Sequence, residues 1–397
     1  MKNIHSHKEL ISHYDIVICG GGVAGLWLLN VLTKEGFDVL LLEKESLGGI
    51  QTIASQGMIH GGQRYMLGNS TPTHAESVAQ LPKRWDACLE GRGELDLSDV
   101  RVLSEKQVMW SIGGSLTRFA LSTASHMLKA KTRKLEVQEV PEVLADLAGL
   151  SVYELPEKVL DVASLVEALS TPHRAKIRKG SVDELSLDGC LTVAGFQIKA
   201  QVVICAAGLG NEELLKLLDS EKGRTQRRPL RQLMVKPMPL PLYGHGITTS
   251  YKPSVTVTSH PLLSGGYVWY LGGALADDAL SLSDNDAIAF AKKEMKQLFG
   301  HLDWSGKQWA TWYGFRAEAY SHNGRLPTGP VLQEYGNALV IWPTKLTLAP
   351  LLGDKVIARL VELGVRPKHS GSPSSLHNLP LPPLAQLPWD QADWSCY

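Results

Sequence analysis

The sequence predicts an α/β fold in which a nucleotide-binding domain is interleaved with an antiparallel α+β domain. An apolar strand, a glycine-rich turn, a helix and a second apolar strand occupy residues 15–43. Residues 229–274 are rich in Pro, Tyr and β-branched residues, which are typical of antiparallel strands. A strand, a turn and a helix return at residues 338–363. Because nucleotide-type units lie near both ends, we expect two domains threaded through each other.

The first turn carries the most specific motif. Gly20, Gly22 and Gly25 have the spacing G-x-G-x-x-G, and Glu43 ends the second strand. The first glycine allows a tight turn, the second lets a pyrophosphate approach the backbone, and the third lets the helix pack closely. The helix N-terminus adds free N–H groups and a positive dipole end. Since Glu43 can accept hydrogen bonds from a ribose, the pattern predicts a dinucleotide site.

Composition narrows the class of protein. The chain has 397 residues, with 40 basic and 40 acidic side chains, so we expect no nucleic-acid partner. The five cysteines are scattered without a C-x-x-C pair, and residues 1–13 lack an apolar signal core, which favours a reduced, cytoplasmic protein. The uncharged run at 16–33 contains three consecutive glycines, so we expect no transmembrane segment. The histidines show no metal-ligand spacing, so we expect no metal.

The rest of the chain divides by its periodicity and turn residues. We expect an extended loop over residues 48–65 and a mixture of short strands and turns over residues 100–118. Helices are predicted over residues 73–90, 122–135, 159–169, 283–299 and 351–363, and further strands near residues 39–43, 176–178, 191–198, 201–205 and 338–342. Asp161 is a candidate N-cap of the third helix, and Asp284 or Asp286 of the fourth. The Pro- and Ser-rich tail from residue 366 is expected to be irregular.

A second small-residue turn follows the strand at residues 201–205. The run Cys-Ala-Ala-Gly ends at Gly208, and Gly210 follows. Its backbone could also approach a nucleotide, or it could be a tight β-to-α turn without a ligand.

Four places together resemble the D-amino-acid oxidase superfamily of FAD-dependent oxidoreductases, over about residues 14–365. They are the first glycine motif, residues 55–65, residues 205–208, and Gly314-Phe-Arg316 with Gly329 and the loop at 345–350. The second, Ser-Gln-Gly-Met-Ile-His-Gly-Gly-Gln-Arg-Tyr, is similar to the I-H-G-G-x-R-Y stretch of FAD-dependent glycerol-3-phosphate dehydrogenases and to the related loop of 2-hydroxyglutarate dehydrogenases.

The resemblance implies a Rossmann-like FAD-binding domain of the glutathione-reductase type. It would comprise residues 12–70, 151–225 and 320–365, with an antiparallel α+β substrate domain at 71–150 and 226–319 and a Pro-rich tail at 366–397. FAD would be bound, non-covalently rather than through a histidyl link. The implied cofactor-binding residues are Gly20, Gly22, Val23, Ala24, Gly25, Glu43, Lys44, Ser55, Gln56, Gly57, Gly61, Gly62, Ala206, Ala207, Gly208, Gly329, Leu346 and Thr347.

The resemblance also implies catalytic candidates. Arg316 would anchor a carboxylate or phosphate through two parallel hydrogen bonds, the alternative being an interdomain salt bridge. Arg64 would face the substrate, the alternative being a surface arginine. His60 would contact the flavin ring or act as a general base, the alternative being a hydrogen-bonded loop histidine.

Lys345 is a further candidate. An ammonium group there would stabilise the reduced, anionic flavin ring or help to activate oxygen; alternatively, Lys345 turns outward and only its backbone N–H touches the flavin. Trp342-Pro343-Thr344-Lys345 stands where most relatives carry glycines, and Ala317 replaces the usual proline after Arg316. Both departures leave the substrate class open.

An aromatic strand offers one more possible wall. Tyr267, Trp269 and Tyr270 could roof a substrate pocket, or they could be ordinary core.

Three functions compete. The leading one is an FAD-dependent oxidase or dehydrogenase that oxidises a C–OH or C–N carbon of a small, acid-bearing substrate and passes electrons to oxygen, a quinone or another carrier. The second is an NAD-dependent Rossmann dehydrogenase, against which the late strand and helix argue, since a simple Rossmann domain has consecutive units. The third is a flavoprotein partner that matures or modifies another protein.

Overall fold

The structure is a computed structural model that describes residues 11–60, 72–111, 132–147, 150–218, 225–248, 253–322, 324, 327, 329–368 and 375–396. Its strands are β1 Ser12–Cys19, β2 Val39–Glu43, β3 Val102–Ser104, β4 Gln107–Ser111, β5 Arg133–Lys134, β6 Val152–Leu155, β7 Val159–Leu160, β8 Ile177–Lys179, β9 Val182–Leu185, β10 Cys190–Val193, β11 Phe196–Cys205, β12 Thr225–Met238, β13 Gly244–Ile247, β14 Val255–Pro261, β15 Tyr267–Gly272, β16 Gln308–Ala319, β17 Val331–Tyr335, β18 Ala338–Trp342 and β19 Ser395–Cys396.

The α-helices are α1 Val23–Lys34, α2 Ile50–Ile53, α3 Pro72–Leu89, α4 Glu142–Ala145, α5 Val162–Ser170, α6 Asn211–Leu217, α7 Ala274–Asp278, α8 Asp284–Leu298, α9 Ala349–Glu362 and α10 Pro388–Gln391. Short 3-10 turns occupy Val137–Glu139, Thr171–Lys176, Gly208–Gly210, Leu346–Leu348 and Ser375–Asn378.

A mostly parallel sheet has the order β17-β18-β11-β1-β2-β8. Strand β1 lies between β11 and β2, in parallel with both, so that Cys19 aligns with Cys205 on one side and with Leu42 on the other. The carboxyl ends of these three strands therefore meet at one edge of the sheet. In open α/β sheets this is the edge where ligands bind.

A larger sheet, mostly antiparallel, has the order β19-β16-β12-β15-β14-β13-β4-β6-β5. Its longest pairing joins β12 to β16 and sets Arg228 opposite Arg316. The mixed α/β class, with a parallel and an antiparallel sheet, is the class that the sequence predicts.

Each sheet buries its own core. Helices α1, α5 and α9 pack on the parallel sheet through side chains such as Trp27, Leu165 and Leu352, all of them almost fully buried. Helix α8 covers the antiparallel sheet, where Met295 and Phe299 lie in one cluster with Trp269. The apolar periodicity that predicts these helices is therefore their core-facing stripe.

Several predicted elements differ in detail. The predicted loop at 48–65 contains the single helical turn α2, which presents the hydroxyl of Thr52 to the backbone N–H of Val23 at 3.1 Å. Ser283, rather than Asp284 or Asp286, caps α8, because its hydroxyl accepts the N–H of Asp286. Asp161 caps α5 as predicted, by accepting the N–H of Ser164.

Two predicted segments have the wrong structure at one end. Residues 133–134, placed in a helix by the sequence, form β5 and pair with β6; residues 122–131 lie outside the described residues. The predicted strand at 191–198 is a hairpin, since Ala194 and Gly195 both have positive φ and turn β10 into β11.

The division into two domains remains a prediction, and the packing suggests two amendments to it. Helix α3 lies in the core of the parallel sheet, where Trp85 packs 5.0 Å from Trp27 between ring centroids, although it was placed with the substrate domain. Strand β6 belongs to the antiparallel sheet, although it was placed with the FAD-binding domain.

The tail is not simply irregular. Residues 375–396, which we call the C-terminal strap, contain a 3-10 turn, α10 and β19. Leu376 and Trp389 are buried, and β19 pairs with β16. The sequence missed this because proline-rich segments show no periodicity, whereas their single apolar side chains can still be buried.

Candidate active site

One large cavity, of about 2090 Å³, opens where the carboxyl edge of the parallel sheet faces the antiparallel sheet. Its walls come from the turn before α1, the end of β2, the α2 segment, the turn after β11, strand β16 and residues 342–347. Segments that are far apart in the sequence therefore line the same cavity. The residues that the structure describes include no cluster of metal-ligating side chains and no helix with the length and apolarity of a membrane span.

The first and third glycines of the motif are required by close backbone contacts. Gly20 has φ of 120°, and a Cβ there would lie 2.6 Å from the carbonyl oxygen of Ala206. A Cβ on Gly25 would lie 1.9 Å from the carbonyl oxygen of Gly20. Larger side chains would therefore push the turn and α1 apart.

The second glycine is not confined by backbone. Gly22 is the N-cap of α1, and a Cβ on it would contact only the hydroxyl of Thr52, at 3.2 Å. The N–H of Val23 already donates to that hydroxyl. An anionic group approaching here would meet the remaining N–H groups of the helix N-terminus, which favour negative charge.

Glu43 is held by the turn that it faces. Its Oε2 accepts the N–H of Gly21 at 2.6 Å, and its Oε1 accepts the N–H of Glu45 at 2.8 Å. A carboxylate has about four acceptor positions, so two remain for ribose hydroxyls. Lys44, next in the chain, pairs with Glu213 at 3.1 Å on the rim of the cavity.

The second small-residue turn is fixed from behind by Asn211. Its Oδ1 accepts the N–H of Ala207 at 2.9 Å, and its Nδ2 donates to the carbonyl of Ile341 at 3.0 Å. Asn211 is fully buried, and Gly208 in the turn has φ of 59°. The turn is therefore rigid, with Ala206, Ala207 and Gly208 facing the cavity.

Arg316 lies on β16 and lines the cavity beside Phe315 and Ala317. Its cross-strand neighbour Arg228 is bound through two nitrogens, each 3.0 Å from a carboxylate oxygen of the fully buried Glu318. Like charges directly opposite each other destabilise a sheet, and Glu318 offsets this repulsion. The charge of Arg228 is thus balanced within the protein.

His60 has a buried carboxylate behind it. Its Nδ1 lies 3.4 Å from Oε2 of Glu157, a residue only 7% exposed. On its other side the ring of His245 lies 5.9 Å away between centroids, and Nδ1 of His245 lies 2.9 Å from the hydroxyl of Thr256. Two imidazoles therefore share this end of the cavity.

The loop after β18 adopts a glycine-like conformation. Thr344 has φ of 65°, which is rare for a β-branched residue. The hydroxyl of Thr344 donates to the carbonyl of Pro343, and the side chain is almost fully buried. Lys345, Leu346 and Thr347 line the cavity as a result.

Three residues of the cavity wall each carry a buried polar side-chain atom that no protein group among the described residues satisfies. Within the described part of the chain, the buried side-chain atoms Ser55 Oγ, Gln232 Oε1 and Trp342 Nε1 have no hydrogen-bond partner. A buried polar atom without a partner costs about 1–3 kcal/mol. Together with the glycine cradle and Glu43, these residues fit a flavin dinucleotide.

Most predicted site residues meet in the cavity. Those that line it are Gly20, Gly22, Val23, Ala24, Glu43, Lys44, Ser55, Gln56, Gly57, His60, Ala206, Ala207, Gly208, Arg316, Lys345, Leu346 and Thr347. Gly25 packs behind the wall, and Gly329 is not among the lining residues. Gly61, Gly62 and Arg64 lie outside the described residues.

The aromatic strand is core and not a pocket roof. Trp269 and Tyr270 are fully buried, and Tyr267 packs against the core of the antiparallel sheet. None of the three lines the cavity. The pocket interpretation was therefore wrong, because strand alternation reveals two faces without showing which neighbour covers each.

Sequence reasoning missed other lining residues, namely Gln51, Thr52, Arg228, Gln232, His245, Thr256 and Asp277. No motif contains them. Only the hydroxyl of Thr52, within a helix-turn segment beside the glycine motif, could have been suspected as a partner of the helix N-terminus.

Comparison with known proteins agrees with this geometry. The sequence profile of the family described as FAD dependent oxidoreductase (DAO) matches residues 15–359. The "Probable FAD-dependent oxidoreductase PA4991" of Pseudomonas aeruginosa is 42% identical over 388 residues, which cover 95% of this chain and 98% of that protein. Its crystal structure superposes with a TM-score of 0.83 at 38% identity, covering 96% of this chain and 98% of that one.

More distant structures share the fold. Glycine oxidase from Geobacillus kaustophilus has a TM-score of 0.65 at 18% identity, with 92% of this chain and 98% of that one covered. L-alpha-glycerophosphate oxidase from Mycoplasma pneumoniae, with FAD bound, has a TM-score of 0.65 at 17% identity, with 94% and 100% covered. The chain belongs to the DAO family of FAD-dependent oxidoreductases, and its cofactor is FAD.

Proposed function

We propose that the protein oxidises a C–OH or C–N bond of a small, acid-bearing substrate. When bound, FAD accepts a hydride from a carbon that carries a hydroxyl or an amino group. The observation that carries the proposal is that Arg316 and His60 line the same cavity as the FAD-binding motif. An anchor for an anion and an acceptor for a proton are the two groups that such an oxidation needs from the protein.

Arg316 is proposed as the anchor. A guanidinium can hold a carboxylate or phosphate through two parallel hydrogen bonds, which sets the orientation of the substrate as well as its affinity. Arg228 is less suited to this role, because Glu318 already engages two of its nitrogens. An acid-bearing substrate therefore fits this wall better than a neutral one.

His60 is proposed as the group that accepts the proton from the substrate hydroxyl or amine. A carboxylate beside one ring nitrogen favours a proton on that nitrogen, and Glu157 lies beside Nδ1. Nε2 is then the nitrogen that can take the substrate proton. We also propose that FAD is held without a covalent link to His60, because Nδ1 faces Glu157 and the proposed proton transfer requires Nε2.

Lys345 is proposed as a positive charge beside the cofactor. It lines the cavity in the loop that Thr344 bends inward, next to Leu346 and Thr347. A cation here would favour the negative charge that the flavin gains, without any rearrangement at the moment of reaction. Arg64, outside the described residues, remains proposed as a second substrate contact.

Two bond types stay within the proposal. Glycine oxidase and L-alpha-glycerophosphate oxidase, both of similar fold, are named for substrates with a C–N and a C–OH bond respectively, and each substrate bears an acid group. They lend support to the anion anchor and leave the choice between the bonds to experiment. The FAD cofactor takes the place of the NAD alternative.

The test is anaerobic reduction of the bound flavin. The FAD-loaded protein is mixed with single α-amino acids, α-hydroxy acids and glycerol phosphates, and with the matching amines and alcohols that lack the acid. We expect one acid-bearing class to bleach the visible flavin band at a rate that saturates with concentration. Bleaching by the neutral analogues at the same efficiency would contradict the anion anchor.

Failure of every free small molecule to reduce the flavin would instead favour the flavoprotein that modifies another protein.

Once a substrate has reduced the flavin, readmission of oxygen, and separately of a soluble quinone, identifies the electron acceptor. Fast recovery of the flavin band with oxygen would make the enzyme an oxidase, and recovery with quinone alone would make it a dehydrogenase.

A further inference from the structure

The C-terminal strap lies beyond residues 15–359, which match the family profile, yet it touches both walls beside Glu43. We propose that strap residues 376–385 position these walls and thereby set how tightly FAD is held. The strap itself does not line the cavity, so its role is to hold the residues that do. The inference depends on FAD binding and not on the identity of the substrate.

The first wall is the segment that follows β2. The N–H of Leu47 donates to the carbonyl of Pro383 at 2.8 Å, and the N–H of Ala385 donates to the carbonyl of Leu47 at 2.9 Å. The strap therefore satisfies both backbone groups of Leu47, in the manner of an added strand. Leu47 is 3% exposed, which leaves its backbone no water to replace these bonds.

Leu47 passes this constraint on to the glycine turn. A Cβ on Gly21 would lie 2.6 Å from the methyl carbon Cδ2 of Leu47, so the two residues are in close contact. The N–H of Gly48 donates to the carbonyl of Gly21 at 2.8 Å, and the N–H of Gly21 donates to Glu43. The position of Leu47 therefore determines the position of the glycine turn and of the Glu43 carboxylate.

The second wall is the segment after β8. The N–H of Lys179 donates to the carbonyl of Pro380 at 2.7 Å, and Nε of Arg178 donates to the carbonyl of Leu376 at 3.0 Å. The next residue, Gly180, lines the cavity and donates its N–H to the carbonyl of Glu43 at 3.0 Å. The strap thus reaches Glu43 from two sides.

The strap is also tied down beyond these walls. Trp389 is buried with its ring 4.1 Å from that of His260 and 5.6 Å from that of Tyr270, between centroids. The prolines at 380, 382 and 383 restrict the backbone of the segment between the buried side chains of Leu376 and Trp389. Since little conformational freedom is left to lose, the walls are already ordered before the cofactor binds.

The test compares two proline variants of the full-length protein. Ala385→Pro deletes the N–H that bonds to Leu47, in a segment that is already extended. Gln386→Pro is the matched control, since the described residues include no backbone bond donated by its N–H. Apoprotein of each is titrated with FAD, and the quenching of flavin fluorescence gives the dissociation constant.

We expect Ala385→Pro to weaken FAD binding about three- to tenfold, as the loss of one backbone hydrogen bond implies, and to raise the rate of FAD release. Gln386→Pro should bind FAD as the wild type does. Unchanged binding by Ala385→Pro, or equal losses in both variants, would overturn the proposal.

A second measurement uses the wild-type protein, so that a misfolded variant cannot obscure the result. Coupling between two sites is reciprocal: if the strap strengthens FAD binding, FAD must stabilise the strap. Amide hydrogen exchange with and without FAD should therefore slow at Leu47, Lys179 and Ala385. Helix α8, on the other sheet, is the internal reference.

Equal slowing in the strap and in α8 would mean a global stabilisation and would refute the inference, as would no slowing in the strap. Neither measurement involves a substrate. Failure of the strap proposal and failure of the proposed oxidation are therefore separate outcomes.

Discussion

His60 lines the cavity and Glu157 lies behind it, with Nδ1 of the histidine 3.4 Å from Oε2 of the carboxylate. The two residues are 97 positions apart, and Glu157 is nearly buried. A buried carboxylate behind an imidazole selects its tautomer and its orientation, as in the carboxylate–histidine pairs of hydrolytic enzymes. This geometry would suit the role of proton acceptor that is proposed for His60.

We expect Glu157→Gln to lower kcat by about tenfold or more while KM changes little, because the glutamine amide can donate to Nδ1 and select the wrong tautomer. The rates are measured with the substrate that the reduction screen identifies. Glu154→Gln removes a carboxylate that pairs with the exposed side chains of Lys106 and Arg133, and it is the control. Equal kcat values for the two variants would show that Glu157 does not orient His60.

Arg316→Lys should lower kcat/KM for the acid-bearing substrate by about 10- to 150-fold, which corresponds to losing a charged hydrogen bond worth about 1.5–3 kcal/mol. An ammonium group keeps the charge and loses the two-pronged geometry. The control is Arg359→Lys, which changes an arginine of α9 that pairs with Glu334 of β17 outside the cavity. If Arg316→Lys retains the wild-type kcat/KM, Arg316 is an interdomain contact instead of the anchor.

Two glycine variants separate packing from ligand approach. Gly25→Ala should destabilise the apoprotein by about 1–3 kcal/mol or more, because its Cβ would lie 1.9 Å from the carbonyl oxygen of Gly20. Gly22→Ala should destabilise the apoprotein less and weaken FAD binding, because its Cβ would meet only the hydroxyl of Thr52, at 3.2 Å, and no backbone atom. Urea unfolding and FAD titration measure the two effects. The opposite pattern, with Gly22→Ala the less stable apoprotein, would contradict the assigned roles.

His260 should make stability depend on pH. Burial against Trp389 and Tyr270 lowers its pKa from the ordinary 6.5 to about 4. Between these values the unfolded chain binds a proton and the folded chain does not. The part of the free energy of unfolding that depends on His260 is therefore fully present above about pH 6.5. It is lost as the pH falls towards about 4, and the loss amounts to at most about 3 kcal/mol.

His260→Phe keeps a ring against Trp389 and removes the titration. Urea unfolding at about pH 7.5 and about pH 5 should show a smaller loss of stability in the variant than in the wild type. Burial also lowers the pKa of His173, so some pH dependence remains in both. Identical losses in the two proteins would mean that His260 is not the residue responsible.

Lys345→Met should slow flavin reduction or reoxidation while FAD stays bound, because the positive charge near the cofactor is lost. Stopped-flow absorbance measures both half-reactions. Lys355→Met is the control, because it removes an exposed lysine of α9 whose ammonium group donates to the carbonyl of Pro330 at 3.2 Å. Wild-type values for both half-reactions in Lys345→Met would rule out a role for the ammonium group.

The parts of the site that the sequence could predict are those made by local backbone geometry. Gly20 and Gly25 stand where the turn and the helix need them, and their spacing is readable without a structure. Asp161 could be recognised as a helix cap for the same reason. In contrast, Glu157, Arg228 and His245 carry no local signal, because each acts through a partner on another strand or loop.

The sequence by itself determined the class of fold and the nucleotide turn, since short-range spacing and hydrophobic periodicity encode them. Arg316 was a candidate only through the family resemblance, and its role as an anchor stays a prediction. Only the tertiary structure decided that Trp269 and Tyr270 are core, that Glu318 engages Arg228, and that the C-terminal strap holds Leu47. These relationships are long-range contacts. Which side chains bury one another depends on how whole sheets pack, and no window of neighbouring residues contains that information.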